Sequence, residues 1–380
     1  MHIVEVTYSW PAETFIVRHA LALAETSSIR LTIASKSPAR PDSASIQSAD
    51  FAPVSVVPLP NFDHMTTAQK VLAAARVMWF KAPDGYRKAR DKAILQTLAR
   101  LRPDLVHFHF GSLAVMLARY PQALGIPYSV SLRGSDIQVM PLDNKPYKMA
   151  LREALSGASG VHAVSYDIAR QARETCGLEG DVTVIRTCVP FPEHGLFQMS
   201  LSEPLRFVSV GRLHWRKAFP DLVRAMALIP GARLDIVGDG PEREHLLYLI
   251  DRFGLQSRVR LLGQLPYAQF EKVLAQATAF VQSSIAEGFS NALAEAMALG
   301  KAVFATEAGG TTEVIEDGRN GIIIPTGDPA GMAHKLMLAA DAELMNRLGM
   351  AARQTAEEIF SMERHAREFY AFYQSCLENL

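Results

Sequence analysis

Short apolar runs alternate with helical patterns along this whole chain, and that alternation restricts its fold more than any other feature. The first half offers strands at Ile3–Thr7, Arg30–Ala34, Ser55–Pro58, Leu105–Phe110, Tyr128–Leu132, Gly160–Val164 and Val182–Ile185. The series then restarts, with Arg206–Val210, Arg233–Val237, Val259–Leu262, Ala279–Val281, Ala302–Ala305 and Gly321–Ile324. Strands separated by helix-length segments pair in parallel, through crossover helices that cover both sheet faces. Between the two series lies Val189-Pro190-Phe191-Pro192-Glu193-His194-Gly195, whose two prolines interrupt any regular element. At 380 residues the chain exceeds one ordinary core. The expected architecture is therefore α/β, with two Rossmann-like domains over 1–188 and 204–362 and a hinge over 189–203. Ligands of such sheets sit beyond the carboxyl ends of the strands, so the two domains are expected to face a central cleft. The amphipathic end, apolar at Phe369, Tyr370, Phe372, Tyr373 and Leu377, predicts a closing helix over 363–380 that packs back across the hinge.

Charge and cysteine usage narrow the class. Lys plus Arg equals Asp plus Glu at 39 each, so no global field draws the protein to nucleic acid. Cys176, Cys188 and Cys376 lie far apart without metal-ligand spacing, which suits reduced thiols in a cytoplasmic protein. The start, His2-Ile3-Val4-Glu5-Val6, is too short and too acidic for a signal peptide. No apolar run approaches the roughly 18 residues of a membrane span. Any membrane contact would be peripheral, on the inner face of the cell membrane. The stretch 70–102 supplies a place for it, with nine Lys and Arg against Asp84 and Asp91, and Val77-Met78-Trp79-Phe80 between them. Such a region either rests on anionic lipid and receives a lipid-linked acceptor, or is a solvated helix face.

Two carboxylates carry the chemistry of the second half. Glu287 and Glu295 flank a Gly-Phe-Ser turn that opens into an Ala/Leu/Met helix, with Ser290 as N-cap and Gly300 at the left-handed position past its end. Both acids then sit at the helix end that attracts anions. A carboxylate gains nothing beside a phosphate but much from sugar hydroxyls, so the pair points to a ligand carrying both. Two solvated glutamates are the plainer reading. Val208-Ser209-Val210-Gly211-Arg212-Leu213-His214-Trp215-Arg216-Lys217 reads as a strand, a glycine turn and a basic loop ahead of a helix. Its cations could cradle a diphosphate or simply be solvated. Val237-Gly238-Asp239-Gly240-Pro241 is not a dinucleotide fingerprint, because the third glycine would fall at Arg243 and Pro241 lacks a backbone donor.

These motifs, with Gly309-Gly310, Glu313, Asp317-Gly318 and Asn320-Gly321 after them, stand in one order across residues 204–330. In this the chain resembles the retaining glycosyltransferases of the two-Rossmann-domain type, the large family four (GT-B). The resemblance implies that Arg212 and Lys217 pair with the donor's two phosphates beside the Gly211 turn. Glu295 would take the ribose hydroxyls, and Glu287, with the backbone of Gly288, Phe289 and Ser290, would grip the transferred sugar. Gly238 and Gly240 would form a floor near the nucleoside, with Leu265 near the base. It further implies a nucleoside-diphosphate sugar, UDP- or GDP-linked, as co-substrate without a cofactor. The acceptor would be a glycan or lipid-linked hydroxyl, in envelope or exopolysaccharide synthesis. The sequence holds no Asp-x-Asp pair, so metal-independent transfer is expected.

In the first half, His107 and His109 alternate onto one face of a strand. His107 reads as a core residue; for His109, nearest the carboxyl end, the resemblance implies a contact with the donor sugar. Ser131-Leu132-Arg133-Gly134-Ser135-Asp136 should form a turn at the same end. Relatives commonly carry His-Gly-Ser-Asp there, so Arg133 is a departure: a bidentate anion contact to acceptor or phosphate, with Asp136 beside it, or a structural salt bridge. The first turn, Trp10-Pro11-Ala12-Glu13-Thr14, lacks the glycine pair of many relatives. Thr14 offers the acceptor or a phosphate a donor, or merely opens a helix. The rival to an active transferase is a catalytically weak sugar-nucleotide-binding scaffold of a polysaccharide assembly complex.

Overall fold

The computed structural model describes residues 1–9, 13–26, 28–37, 54–59, 83–191 and 204–378. The chain divides into two compact units. One comprises Met1–Val164, Ile168–Ile185 and His365–Leu380; the other comprises Ser165–Asp167 and Arg186–Arg364. Residues 192–203 of the expected hinge and the part of the basic stretch before residue 83 lie outside the described residues, whereas Pro83–Leu101 is a helix.

The first unit holds seven parallel strands: β1 (His2–Ser9), β2 (Arg30–Ser37), β3 (Ser55–Pro58), β4 (Leu105–Phe108), β5 (Tyr128–Leu132), β6 (Gly160–Ala163) and β7 (Val182–Val184). Their order is β3-β2-β1-β4-β5-β6-β7, which reverses direction between β1 and β4. β4 ends two residues sooner than its sequence pattern predicts. The His109 amide still reaches the Val6 carbonyl at 3.3 Å, but Phe110 turns the chain into the helix Gly111–Leu117. Register sets Glu5 opposite His107, His107 opposite Ser129, and Ser131 opposite His162. A polar stripe therefore crosses one sheet face. The helix Met362–Glu378 packs with this unit from His365 onward and buries His365, Phe369, Phe372, Tyr373 and Cys376.

The second unit holds β8 (Arg206–Val210), β9 (Arg233–Val237), β10 (Val259–Gly263), β11 (Ala279–Gln282), β12 (Val303–Thr306) and β13 (Ile322–Ile324). All pair in parallel in the order β10-β9-β8-β11-β12-β13. Successive residues feed opposite cores: Phe207, Leu234 and Phe304 join one, Val208, Phe280 and Val303 the other. Both faces are thus sealed, as the continuous apolar runs of parallel strands require. The direction of the sheet reverses between β8 and β11, and in doubly wound sheets that is where ligands sit.

Candidate active site

At that reversal point the connections leaving β8 and β11 meet. After Val210 the chain turns at Gly211, passes exposed Arg212 and makes a 3-10 turn at Trp215–Lys217. It enters the helix Phe219–Ala227 through Ala218, which holds a left-handed φ of 45°. Beyond Gln282, the segment 283–287 is bound to this connection. Ser283 Oγ donates to the Lys217 carbonyl (2.8 Å), the Ile285 amide to the Arg216 carbonyl (2.8 Å), and Arg216 Nε to the Ala286 carbonyl (3.4 Å). The result is an ion pair between Lys217 Nζ and Glu287 Oε1, with Ser284 Oγ donating to the same oxygen at 2.7 Å. Side-chain exposures of 19% and 10% leave the pair largely shielded from solvent. Arg212 is exposed and has no ion pair among the described residues.

Backbone packing explains the glycines. The Gly211 amide donates to the Val237 carbonyl (3.0 Å), the Leu213 amide to Asp239 (3.0 Å), and the Glu242 amide to Leu213 (2.9 Å). A Cβ on Gly238 would stand 2.0 Å from the Gly211 carbonyl oxygen, and one on Gly240 2.5 Å from that of Leu213. One on Gly211 would meet Lys217 Cε at 2.7 Å, since the lysine stem lies across the turn. Two strand-end loops can interlock this closely only without side chains.

The acidic helix is built as its sequence suggests. Ser290 is N-cap of Asn291–Ala298 and accepts from the Leu293 amide, and Gly300 has φ 71°. Glu295 lies one turn inside and is 9% exposed, much less than a solvated face would leave it. Phe289 packs on Phe360 at 5.3 Å, and Leu265 packs on the same core. The Glu287-Gly288 backbone is backed by Gly309 and Gly310. A Cβ on Gly309 would lie 1.9 Å from the Glu287 carbonyl oxygen, while the Gly310 amide donates to Gly288. Glu313, within the same unit, accepts from the amides of Tyr166 (3.1 Å) and Asp167 (2.9 Å) and from Arg186 (3.0 Å).

The first unit's candidates gather at the carboxyl ends of β4 and β5. His109 is fully buried. Arg133 Nη2 contacts its Nδ1 at 3.2 Å and Arg133 Nε donates to its carbonyl at 3.1 Å. Arginine only donates, so Nδ1 accepts and the ring proton sits on Nε2, which donates to Glu5 Oε2 at 2.9 Å. Burial lowers His109 to about 4. Burial alone would raise the Glu5 carboxyl, but His19 and His109 outweigh it and hold Glu5 well below the usual range. Ligand atoms of Glu5, His19 and His109 lie within 4.8 Å of one another. The proton that Arg133 forces onto His109 Nε2 nevertheless occupies the lone pair a metal would need. His107, fully buried and bonded to Ser129 and Ser131, fits its reading as a core residue. Asp136 accepts from the amides of Gly111 (3.0 Å), Arg133 (3.2 Å) and Gly134 (2.9 Å), which fixes the turn and leaves both oxygens engaged. Thr14 is exposed at the start of the helix Thr14–Ala24; Trp10–Ala12 lie outside the described residues.

Sequence reasoning passed over Glu5, His19, Tyr373 and Ser284. A lone acid in an otherwise apolar first strand was a signal for Glu5. Ser283-Ser284, directly after a strand, was one for the second site.

Residues 198–355 match the family Glycosyl transferases group 1, and residues 12–188 match the Glycosyl transferase 4-like domain. The chain is 25% identical over 311 residues to N-acetyl-alpha-D-glucosaminyl L-malate synthase of Bacillus anthracis, covering 77% of this chain and 80% of that protein. It is 35% identical over 157 residues to the lipopolysaccharide core biosynthesis glycosyltransferase LpsE of Rhizobium meliloti, where coverage is 41% and 46%. To the putative teichuronic acid biosynthesis glycosyltransferase TuaC of Bacillus subtilis it is 30% identical over 248 residues, covering 61% of each. The match thus spans about half to four-fifths of these relatives' lengths. Among solved structures, HepE of Anabaena in complex with UDP superposes with a TM-score of 0.76 at 19% identity, covering 98% of this chain and 99% of that one.

Proposed function

This chain belongs to the group 1 glycosyltransferases of the two-Rossmann-domain type, and we propose that it moves a sugar from a UDP- or GDP-linked donor to a hydroxyl acceptor with retention. The acceptor is a glycan or lipid-linked hydroxyl of an envelope or extracellular polysaccharide, the setting of two relatives' printed names. One observation carries the reading: Lys217, held by Glu287 across the Gly211 turn, beside an Arg212 with no ion pair among the described residues. A leaving nucleoside diphosphate gains negative charge as its bond to the sugar breaks. Fixed cations therefore lower the transition state more than the ground state.

In this reading Arg212 and Lys217 receive the two phosphates, and the Lys217–Glu287 bond loosens as the lysine turns to phosphate oxygen. Glu287 then accepts from a hydroxyl of the transferred sugar, aided by the Gly288–Ser290 backbone, while Glu295 takes the ribose hydroxyls. The acceptor attacks from the face the leaving group vacates, and the departing phosphate takes the acceptor's proton. No metal is required, since two cations of the chain do the neutralising.

Donor hydrolysis tests the reading. The purified chain in excess chelator should release UDP from a UDP-sugar, or GDP from a GDP-sugar, slowly and without added acceptor. Binding without release would favour the inactive scaffold. Release that stops in chelator and returns with manganese would overturn the metal-independent step.

A further inference from the structure

We infer that Arg133 is a binding site for an anionic group on the acceptor, a carboxylate or a phosphate. The inference deepens the acceptor half of the proposed reaction and rests on that reading. Its basis is the arrangement of one guanidinium. Two of its five N–H groups bond His109, one to the carbonyl and one to Nδ1. The plane stacks on Phe15, with Cζ 4.4 Å from the ring centroid. The other three N–H groups have no partner among the described residues, and no carboxylate there forms an ion pair with it.

The nearest acid cannot serve. Asp136 already accepts from three backbone amides, one of them Arg133's own, so the turn that carries the arginine uses up the carboxylate beside it. Glu5 is engaged by His109, His19 and Tyr373. Burial depresses the guanidinium to about 10, and the charges of Asp136, Glu13 and Glu5 offset its removal from solvent only in part. A desolvated cation without a direct ion pair is costly to keep. A structural role toward His109 needs only one donor and no permanent charge. The surplus is a rigid, planar, doubly anchored fork with free donors, at the carboxyl end of β5, in a residue that keeps partial solvent contact. That is the geometry that recognises a carboxylate or phosphate bidentately. Arg212 and Lys217 already answer the donor's phosphates within the other unit, so the anion assigned here is the acceptor's.

Ligand-observed NMR titrations of the full chain with glucuronate, glucose 6-phosphate and glucose, at matched ionic strength, test this. One of the two anionic sugars should bind at least about 10-fold more tightly than glucose, and Arg133→His should bring it within about twofold. The preferred anion tells carboxylate from phosphate. Equal binding of all three sugars, or a preference that survives Arg133→His, overturns the proposal. Should Arg133→His melt early, Arg133→Gln, which keeps an N–H for His109 and drops the charge, is read by the same criterion. UDP binding is measured on the same samples. Anion preference without UDP binding refutes the donor assignment and leaves this site standing; UDP binding without the preference does the reverse.

Discussion

Gly238 illustrates how a residue with no side chain can decide a site. Its φ of 137° and the 2.0 Å gap between a notional Cβ and the Gly211 carbonyl leave a methyl group nowhere to go. Gly238→Ala should cost about 3 kcal/mol or more, since two turns must separate. A melting temperature equal to wild type would show that the loops do not interlock. For the cations, Arg212→Ala and Lys217→Ala should each lower kcat for donor hydrolysis about 100- to 1,000-fold with the fold intact, as loss of one fixed donor does in other oxyanion sites. Unchanged kcat in both would place the leaving group elsewhere. At this scale the sequence was a partial guide. Arg212, Lys217, Glu287 and Ser290 stood out because motif spacing and cap chemistry are local. The Lys217–Glu287 bond was not legible, since 70 residues separate the two partners. The His109–Glu5 bond spans 104 positions and was equally hidden.

Among elements, the helix after Ser290 and the helix over Met362–Glu378 do different work. Ser290→Ala removes the acceptor for the Leu293 amide and should cost about 1 kcal/mol of stability. A thermal melt indistinguishable from wild type would remove the cap from the account. The C-terminal helix seals the polar stripe of the first sheet. His107, His109 and His162 are all fully buried, and burial comes first among the causes that lower each. The unfolded chain takes up protons near pH 6.5, whereas folded His109 resists them until about 4. Stability is therefore complete above 6.5 and lost as pH falls through that window, by about 3 kcal/mol for His109 alone. Glu5, held low in the fold, adds a loss that starts below its ordinary value of 4.5. Melting temperature should fall steadily from pH 7 to pH 4.5; a level profile would contradict the neutral histidine stripe. Elements were more legible than pairs. Strand runs and intervening helices set the two parallel sheets, because periodicity is a property of ten residues at a time. The early end of β4 was not legible, because it depends on Phe110 turning into the next helix.

For the whole molecule, a neutral total conceals an uneven distribution: residues 1–188 carry 21 Lys and Arg against 16 Asp and Glu, and the remainder 18 against 23. A basic first part suits an anionic acceptor, and the acidic remainder makes the local cations at Arg212 and Lys217 the more specific feature there. Strand order explains why those cations matter. Each sheet reverses direction once, and the loops leaving β8 and β11 are the pair that diverge at the second reversal. The central claim is that they bind a pyrophosphate without metal. Calorimetric titration of the intact chain with UDP and with GDP, in chelator, tests it most directly. We predict saturable binding of one nucleotide, weakened at least about 10-fold by either Arg212→Ala or Lys217→Ala. Absence of binding by both nucleotides, or binding indifferent to both substitutions, would contradict the account.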